Sequence, residues 1–567
     1  LANPLRNRLK WVASILLALA LTVGLALPPS ADAKKKRKDR RPPIAAIVTT
    51  GDANNNGKLD TITIKYSERV RWAKVRKTAK RARAKTAFTV AGHKVLSVKA
   101  KGNLVTLKVS EKDDVNTAER PIVRYSPVKK RKRGVSDRAG NQAYSAVIKA
   151  RDGIAPRVLS ARTTDADRDG QIDGVDITYS EDVSGADVAA IGVPGRTLLS
   201  ASAAGSKVSA TLAEVGVDSD ARPVVVAGAG AATDAAGNAQ MDATTVNADD
   251  GTPPAIVAAT TRDTDSDGKI DRIRVAFSEP VLHPAEGPGG SMRAVGYSTL
   301  SVSTAAGTAI DLDFAEGGSP NTGAKPNVEL LSTGQTVTDA NGNAAAPGTF
   351  SGTSDGAPPV LVSARLRDTN FNGRIDTVAA AFSETVTYTS SPLAFVTTAS
   401  PSVLGTLQSS GVSIGAVVNV AVTEAGGCCN TNLPTVSDPV PVQYTAPGTG
   451  GVADTALLPA VGGTVNATDG AGPVITYAET EDADADGYLD HVYVGFSETI
   501  SLAGSPLVVA SGQRPLNTTP GNEPVVVASG PHAGQVRLTL QELGVDDTGD
   551  RPTVTYQPPN GSSYVRD

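Results

Sequence analysis

The chain has 567 residues, of which 4% are aromatic, with 56 glycines, 36 prolines and two cysteines. That length exceeds one ordinary domain and predicts about three to five. Two cysteines exclude a disulfide scaffold, and the balance of Val, Ala, Thr, Gly and Pro favours short strands joined by turns over helices. The formal net charge of −3 conceals an asymmetry: residues 34–152 carry 33 Lys and Arg against 10 Asp and Glu, and residues 153–567 carry 19 against 47.

Residues 1–33 read as a signal peptide. Arg6, Arg8 and Lys10 precede an apolar run from Trp11 to Leu27, Pro28-Pro29 breaks it, and Ala31-Asp32-Ala33 offers an A-x-A cleavage site. The run KKKRKDRR at 34–41 follows at once; so dense a basic stretch slows export and leaves an uncleaved membrane anchor as the alternative. A secreted or cell-surface protein is the expectation. The basic linker (34–42) and the first unit (43–152) should seek an anionic polymer: wall polymer, acidic polysaccharide or membrane head groups. A solvated basic surface, or association of this basic end with the acidic end of another copy, are the competing readings. Aromatics for stacking bases are nearly absent there, so specific nucleic-acid recognition is not expected.

Five copies of one pattern follow: DANNNGKLDTITIKYSERV from Asp52, DADRDGQIDGVDITYSEDV from Asp165, DTDSDGKIDRIRVAFSEPV from Asp263, DTNFNGRIDTVAAAFSETV from Asp368 and DADADGYLDHVYVGFSETI from Asp482. Their first aspartates stand 113, 98, 105 and 114 residues apart, a period that means whole domains in tandem. Near the end of a unit comes a D-x-x-G-N turn, Asp137 to Asn141, Asp234 to Asn238 and Asp339 to Asn343; the fourth unit has only a looser stretch around Asp454. Junctions DGIAP at 152, DGTPP at 250, DGAPP at 355 and DGAGP at 469 end each unit, and their prolines stiffen the link. The predicted units are therefore 43–152, 153–250, 251–355, 356–469 and 470–567. Asp567 aligns with the first residue of the missing fifth turn, so the last unit is expected to be truncated.

Period-two segments between turn signals predict an all-β array of β-sandwiches. The D-x-[DN]-x-[DN]-G loop, the [YF]-S-E strand end, the D-x-x-G-N turn and the D-G-x-P junction together resemble bacterial immunoglobulin-like repeats of surface and secreted proteins, over nearly all of residues 43–567. The loop also resembles those of dockerins and thrombospondin type 3 repeats, but no helix follows it and no cysteines accompany it. What the resemblance implies is a spacer, adhesive or presenting role rather than catalysis.

Calcium takes six to eight oxygens, and alternate residues of a tight loop aim carboxylates at one centre. The candidate ligands are Asp52, Asn54, Asn56 and Asp60; Asp165, Asp167, Asp169 and Asp173; Asp263, Asp265, Asp267 and Asp271; Asp368, Asn370, Asn372 and Asp376; and Asp482, Asp484, Asp486 and Asp490. Gly57, Gly170, Gly268, Gly373 and Gly487 make the sharp turn, and the apolar residue before the last aspartate (Leu59, Ile172, Ile270, Ile375, Leu489) should pin the loop to the core. At the twelfth position Thr63, Asp176, Arg274, Ala379 and Tyr493 cannot as a set give an EF-hand's bidentate carboxylate. The alternative is an Asx-rich turn that needs no metal. Loops with four aspartates (second, third and fifth) should bind more tightly than the two with asparagines.

Strand parity carries a further signal. Ile62, Ile64 and Tyr66 share a face that Glu68 continues, and Glu181, Glu279, Glu384 and Glu498 repeat the arrangement, so these glutamates should lie core-side at the strand's far end. That end is about 26 Å from the loop, and capping of backbone amides is their expected role. A second strand leads likewise to Glu111, Glu214, Glu316, Glu424 and Glu542, expected to be half-buried. In an immunoglobulin strand order it neighbours the loop strand, and its glutamate either completes the calcium shell or caps amides. His93, His283, His491 and His532 share no motif, and no nucleophile elbow, H-E-x-x-H or phosphate loop appears, so no enzyme is expected. Adjacent Cys428 and Cys429 bridge each other only with strain; reduced or partner-linked thiols are equally open.

Overall fold

In a computed structural model, the described residues are 39–72, 87–127, 134–389, 395–397, 407–408, 413–424, 440–447, 450–504, 507–509, 515–517, 519–542, 544, 548–556 and 564–566. The predicted signal segment, most of the basic linker, Cys428, Cys429 and Asp567 lie outside them. No helix among the described residues is long and apolar enough to cross a membrane.

The protein is an all-β array of immunoglobulin-like sandwiches. In the first, strands Ala45–Gly51, Thr61–Tyr66, Leu104–Val109 and Val95–Lys101 pair side by side in that order, and Phe88–Val90, Ile122–Tyr125 and Ala146–Lys149 form the opposing sheet. Four strands against three in this pairing order is the constant-type immunoglobulin arrangement. The third sandwich repeats it with Ile256–Arg262, Arg272–Phe277, Ala309–Phe314 and Thr299–Val302 against Met292–Ala294, Val328–Leu330 and Gly348–Phe350, and adds the short strand Thr353–Ser354 in parallel beside Ile256–Arg262. In the second and fourth, the first strand also pairs in parallel with the last (Ala161 with Ala248, Ala364 with Ala467), which links the two sheets. The fifth keeps the four-strand sheet Ile475–Glu481, His491–Phe496, Val536–Thr539, Val525–Val526.

Alternation fills the cores. Ile62 sits opposite Leu107 and Ile64 opposite Val105, all buried, and Ile273 with Leu312 and Val275 with Ile310 do the same in the third sandwich. Among the described residues five separate apolar clusters result, within 45–154, 158–248, 256–357, 361–471 and 475–565. Contacts divide the chain into two compact bodies, residues 1–154 and 155–567, and the second holds four of the clusters.

Candidate metal centres

Each acidic loop precedes the strand it was expected to open, and its turn has one design in all five copies. The first aspartate accepts the amide of the sixth-position glycine: Gly57 to Asp52 at 2.6 Å, Gly170 to Asp165 at 2.9 Å, Gly268 to Asp263 at 2.9 Å, Gly373 to Asp368 at 2.7 Å and Gly487 to Asp482 at 3.0 Å. The last aspartate accepts the second residue's amide, as Asp60 does from Ala53 and Asp490 from Ala483. The fifth-position side chain accepts the amide two residues on, as Asn56 does from Lys58 and Asp169 from Gln171. To close this loop the fourth residue takes φ near +60° whatever its type: Asn55, Arg168, Ser266, Phe371 and Ala485. Only Asn adopts that conformation readily, so four of the five turns hold backbone strain.

The apolar pin is buried in every copy, Leu59, Ile172 and Ile270 completely. Its amide is held by a residue the sequence reading passed over: Asn116 accepts from Leu59 at 2.8 Å, Asp218 from Ile172 at 2.9 Å and Asn321 from Ile270 at 3.0 Å. These residues return the bond through their own amides to Gly57, Gly170 and Gly268. An [ND]-[ST] pair four or five residues after the second-strand glutamate (Asn116-Thr117, Asp218-Ser219, Asn321-Thr322) is the signal that marks them.

The second-strand glutamates do reach the loops, because Arg272 at the start of the loop strand pairs with Asp313 near the end of its neighbour. They are not buried as a group: Glu111, Glu214, Glu316 and Glu542 are exposed and only Glu424 is intermediate, since each lies beyond its strand's last core residue. In the asparagine loops they accept side-chain amides, Glu111 from Asn54 at 2.8 Å and Asn56 at 3.0 Å, Glu424 from Asn370 at 2.7 Å and Asn372 at 2.9 Å. In the third loop Lys269 Nζ bridges Asp267 at 2.9 Å and Glu316 at 3.1 Å, a built-in cation. The second loop has carboxylate oxygens of Asp165, Asp167 and Asp173, and again of Asp167, Asp169 and Glu214, within 4.8 Å of one another. There Asp169, with the other loop aspartates, pushes the Glu214 carboxyl up, and Asp486 does the same to Glu542. Asp52 Oδ1 and Asp376 Oδ1 are buried with no hydrogen-bond donor. All-oxygen clusters with orphaned carboxylate oxygens suit a hard cation such as calcium.

The opposite pole corrects two expectations. Glu279 is core-side as parity requires, 3% exposed, but it caps no amide: Oε1 meets no donor, and the carboxylate lies within 4.8 Å of Asp250 and Asp339 oxygens. Glu384 takes a hydroxyl instead, from Thr322 at 2.7 Å. Burial pushes both carboxyls up to about 7, with neighbouring aspartates adding to the rise. Amide capping belongs to the turn aspartates: Asp137, Asp234 and Asp339 each accept the backbone amide of the closing asparagine at 2.7 Å and its side-chain amide at 2.6, 2.8 and 2.7 Å. The fourth unit does form this turn, with Asp454 accepting from Leu458 at 2.7 Å and Leu457, φ 67°, in the glycine's place.

Within residues 155–567 the loop of one sandwich abuts the next. A Cβ on Gly170 would stand 2.6 Å from Ser278 Cβ, one on Gly268 3.3 Å from Ser383 Cβ, and one on Gly373 3.2 Å from Ser497 Cβ. Ser219 donates to Ser278 at 2.7 Å, and Thr322 bonds Ser383 at 2.5 Å. Ser278, Ser383 and Ser497 are thus the docking points for the loops that precede them.

No family model and no curated protein matches the chain. Among solved structures it is similar to the I9-I11 tandem from titin, at 8% identity over 55% of this chain and 95% of that one, with a TM-score of 0.15. It is also similar to a three-immunoglobulin structure of titin domains I67-I69 in an E-to-A variant, at 11% identity over 56% and 98%, again with a TM-score of 0.15. Likeness at that level carries no argument about function, and the fold rests on the strand order above.

Proposed function

We propose that the chain is a non-enzymatic, calcium-stabilised extracellular multi-domain rod serving adhesion, surface architecture or presentation. The observation that carries this reading is the contact of each loop glycine with the next sandwich's serine between residues 155 and 567. A cation held by Asp165, Asp167, Asp169 and Asp173, with Glu214 beside them, would brace a sandwich and its joint together. The same acidic loop in every sandwich suits a structural ion better than a reaction centre, which needs to occur once.

The test is chelation of the full chain. At calcium a hundredfold above the dissociation constant, each filled site should add about 2.7 kcal/mol to its sandwich. Removal should lower the melting temperature, open the joints to protease and change the hydrodynamic radius. If all three stay put, the loops are metal-free turns and the reading falls.

One feature favours a second role for the first sandwich, binding of an anionic polymer. Lys65, Lys99, Lys101 and Lys108 are exposed on the outer face of its four-strand sheet, with Lys99 opposite Thr106 and Lys65 opposite Leu104. Among the described residues no acidic side chain pairs with any of them. Such an unneutralised face attracts polyanions and loses hold as salt rises.

A further inference from the structure

Three buried carboxylates are an expensive arrangement. Asp250, Glu279 and Asp339 come from the junction, the end of the loop strand and the D-x-x-G-N turn, and they are 6%, 3% and 2% exposed. One oxygen from each lies within 4.8 Å of the others. Buried charge is tolerated when it is paired, hydrogen-bonded or bound to metal. Asp339 is satisfied by Asn341 and Asn343, and Asp250 by the Thr252 amide and Asn341 Nδ2. Glu279 Oε1 has no donor at all. Among the described residues no lysine or arginine forms an ion pair with the three. The nearby guanidinium groups of Arg222 and Arg162 stop at the amide oxygens of Asn341 and Asn343.

We infer that Asp250, Glu279 and Asp339 form a second class of cation site, separate from the acidic loops, which binds a hard divalent cation such as calcium where the second and third sandwiches meet. The ligand set is oxygen only, which disfavours softer metals. Ser219 of the preceding sandwich reaches the same glutamate, so the ion would clamp two sandwiches rather than brace one.

The next junction repeats the design. Asp355 and Asp454 face Glu384, and Asp454 is fully buried with Oδ2 lacking a donor. A cavity of about 290 Å³ opens there, lined by Asp355, Ser383, Glu384, Thr455 and Lys325, with room for a cation and its waters. Lys325 already supplies one positive charge, so this copy should bind more weakly than the Glu279 copy. The first sandwich brings Asp39, Glu68 and Asp137 equally close, but there Asp39 is exposed and Glu68 half-buried.

Equilibrium dialysis of the full chain against calcium tests this. Glu279→Gln keeps the shape of the side chain and removes its charge, and should lower the bound calcium by one ion per chain. Glu384→Gln should remove another, and the double variant two. Circular dichroism checks that the strands persist, and should either variant misfold, the other still decides. Undiminished calcium in both overturns the inference and leaves Glu279 a buried neutral acid. The loops are scored apart, through Asp165→Asn with Asp167→Asn. If those changes remove no ion while Glu279→Gln does, the proposed function loses its loops and this inference stands.

Discussion

The fourth sandwich offers a test that needs no metal. In three turns the closing asparagine gives its side-chain amide to the aspartate's second oxygen, at 2.6, 2.8 and 2.7 Å. Leu458 has no such group, and Asp454 Oδ2 is left without a donor on a residue with no exposure. A buried unsatisfied acceptor costs about 1–3 kcal/mol. Leu458→Asn should recover that, less up to about 1 kcal/mol for the apolar surface of a partly buried leucine. Leu457 adds a second defect: at φ 67° it holds a left-handed conformation that costs a side-chain-bearing residue about 1–2 kcal/mol. It is 82% exposed, so Leu457→Gly loses almost no packing, though glycine's freer unfolded chain returns about 0.5–1 kcal/mol. Each change should stabilise this turn by roughly 1 kcal/mol and the pair by about 2 kcal/mol, if they act independently. Hydrogen exchange at Gly451–Asp454, measured in chelator, should slow about fivefold for each change. An unaltered or faster rate after Leu458→Asn would mean the oxygen already has a partner, and the reasoning would fail.

Other outcomes follow from the same geometry. Lys269→Gln frees Asp267 and Glu316 from their exposed ion pair, so terbium should bind the third loop more tightly; unchanged or weaker binding would mean the lysine does not compete with the ion. The second and fifth loops, with four aspartates and no internal lysine, should bind terbium more tightly than the asparagine loops; equal affinities would count against them. Gly170→Ala places a methyl 2.6 Å from Ser278 Cβ at a φ of +87°, and should loosen that joint to protease while the distant fourth core melts as before. Lys99→Glu with Lys101→Glu should elute earlier from immobilised heparin; unchanged retention would remove the described sheet face from any polyanion site.

Much of this architecture was legible because spacing and parity report on geometry directly. A glycine at the sixth position and an apolar residue before the last aspartate foretold the loop turn and its pin. Alternation from Ile273 to Phe277 foretold that Glu279 would face inward. What it meets there was not legible, since Asp250 and Asp339 lie far away in sequence and nothing local marks three carboxylates as neighbours. The fourth turn read only as a looser stretch around Asp454 because Leu457 and Leu458 replaced its signature residues while the backbone kept its path. The junction glycine was read only as a companion of proline. In the structure a Cβ on Gly251 would fall 2.4 Å from Thr163 O, so the link presses against the first strand of the sandwich it leaves. Close approach of two backbones leaves no trace in composition.

Between residues 155 and 567 the joint is directional: a loop glycine, with Ser219 or Thr322 beside it in two of the joints, on one side, and the serine and glutamate of the next sandwich on the other. A module with both halves would fit before or after another of the same kind. Duplicating or deleting one would change the reach of the molecule by a fixed step without inventing a new interface, so length itself becomes a trait that recombination can adjust.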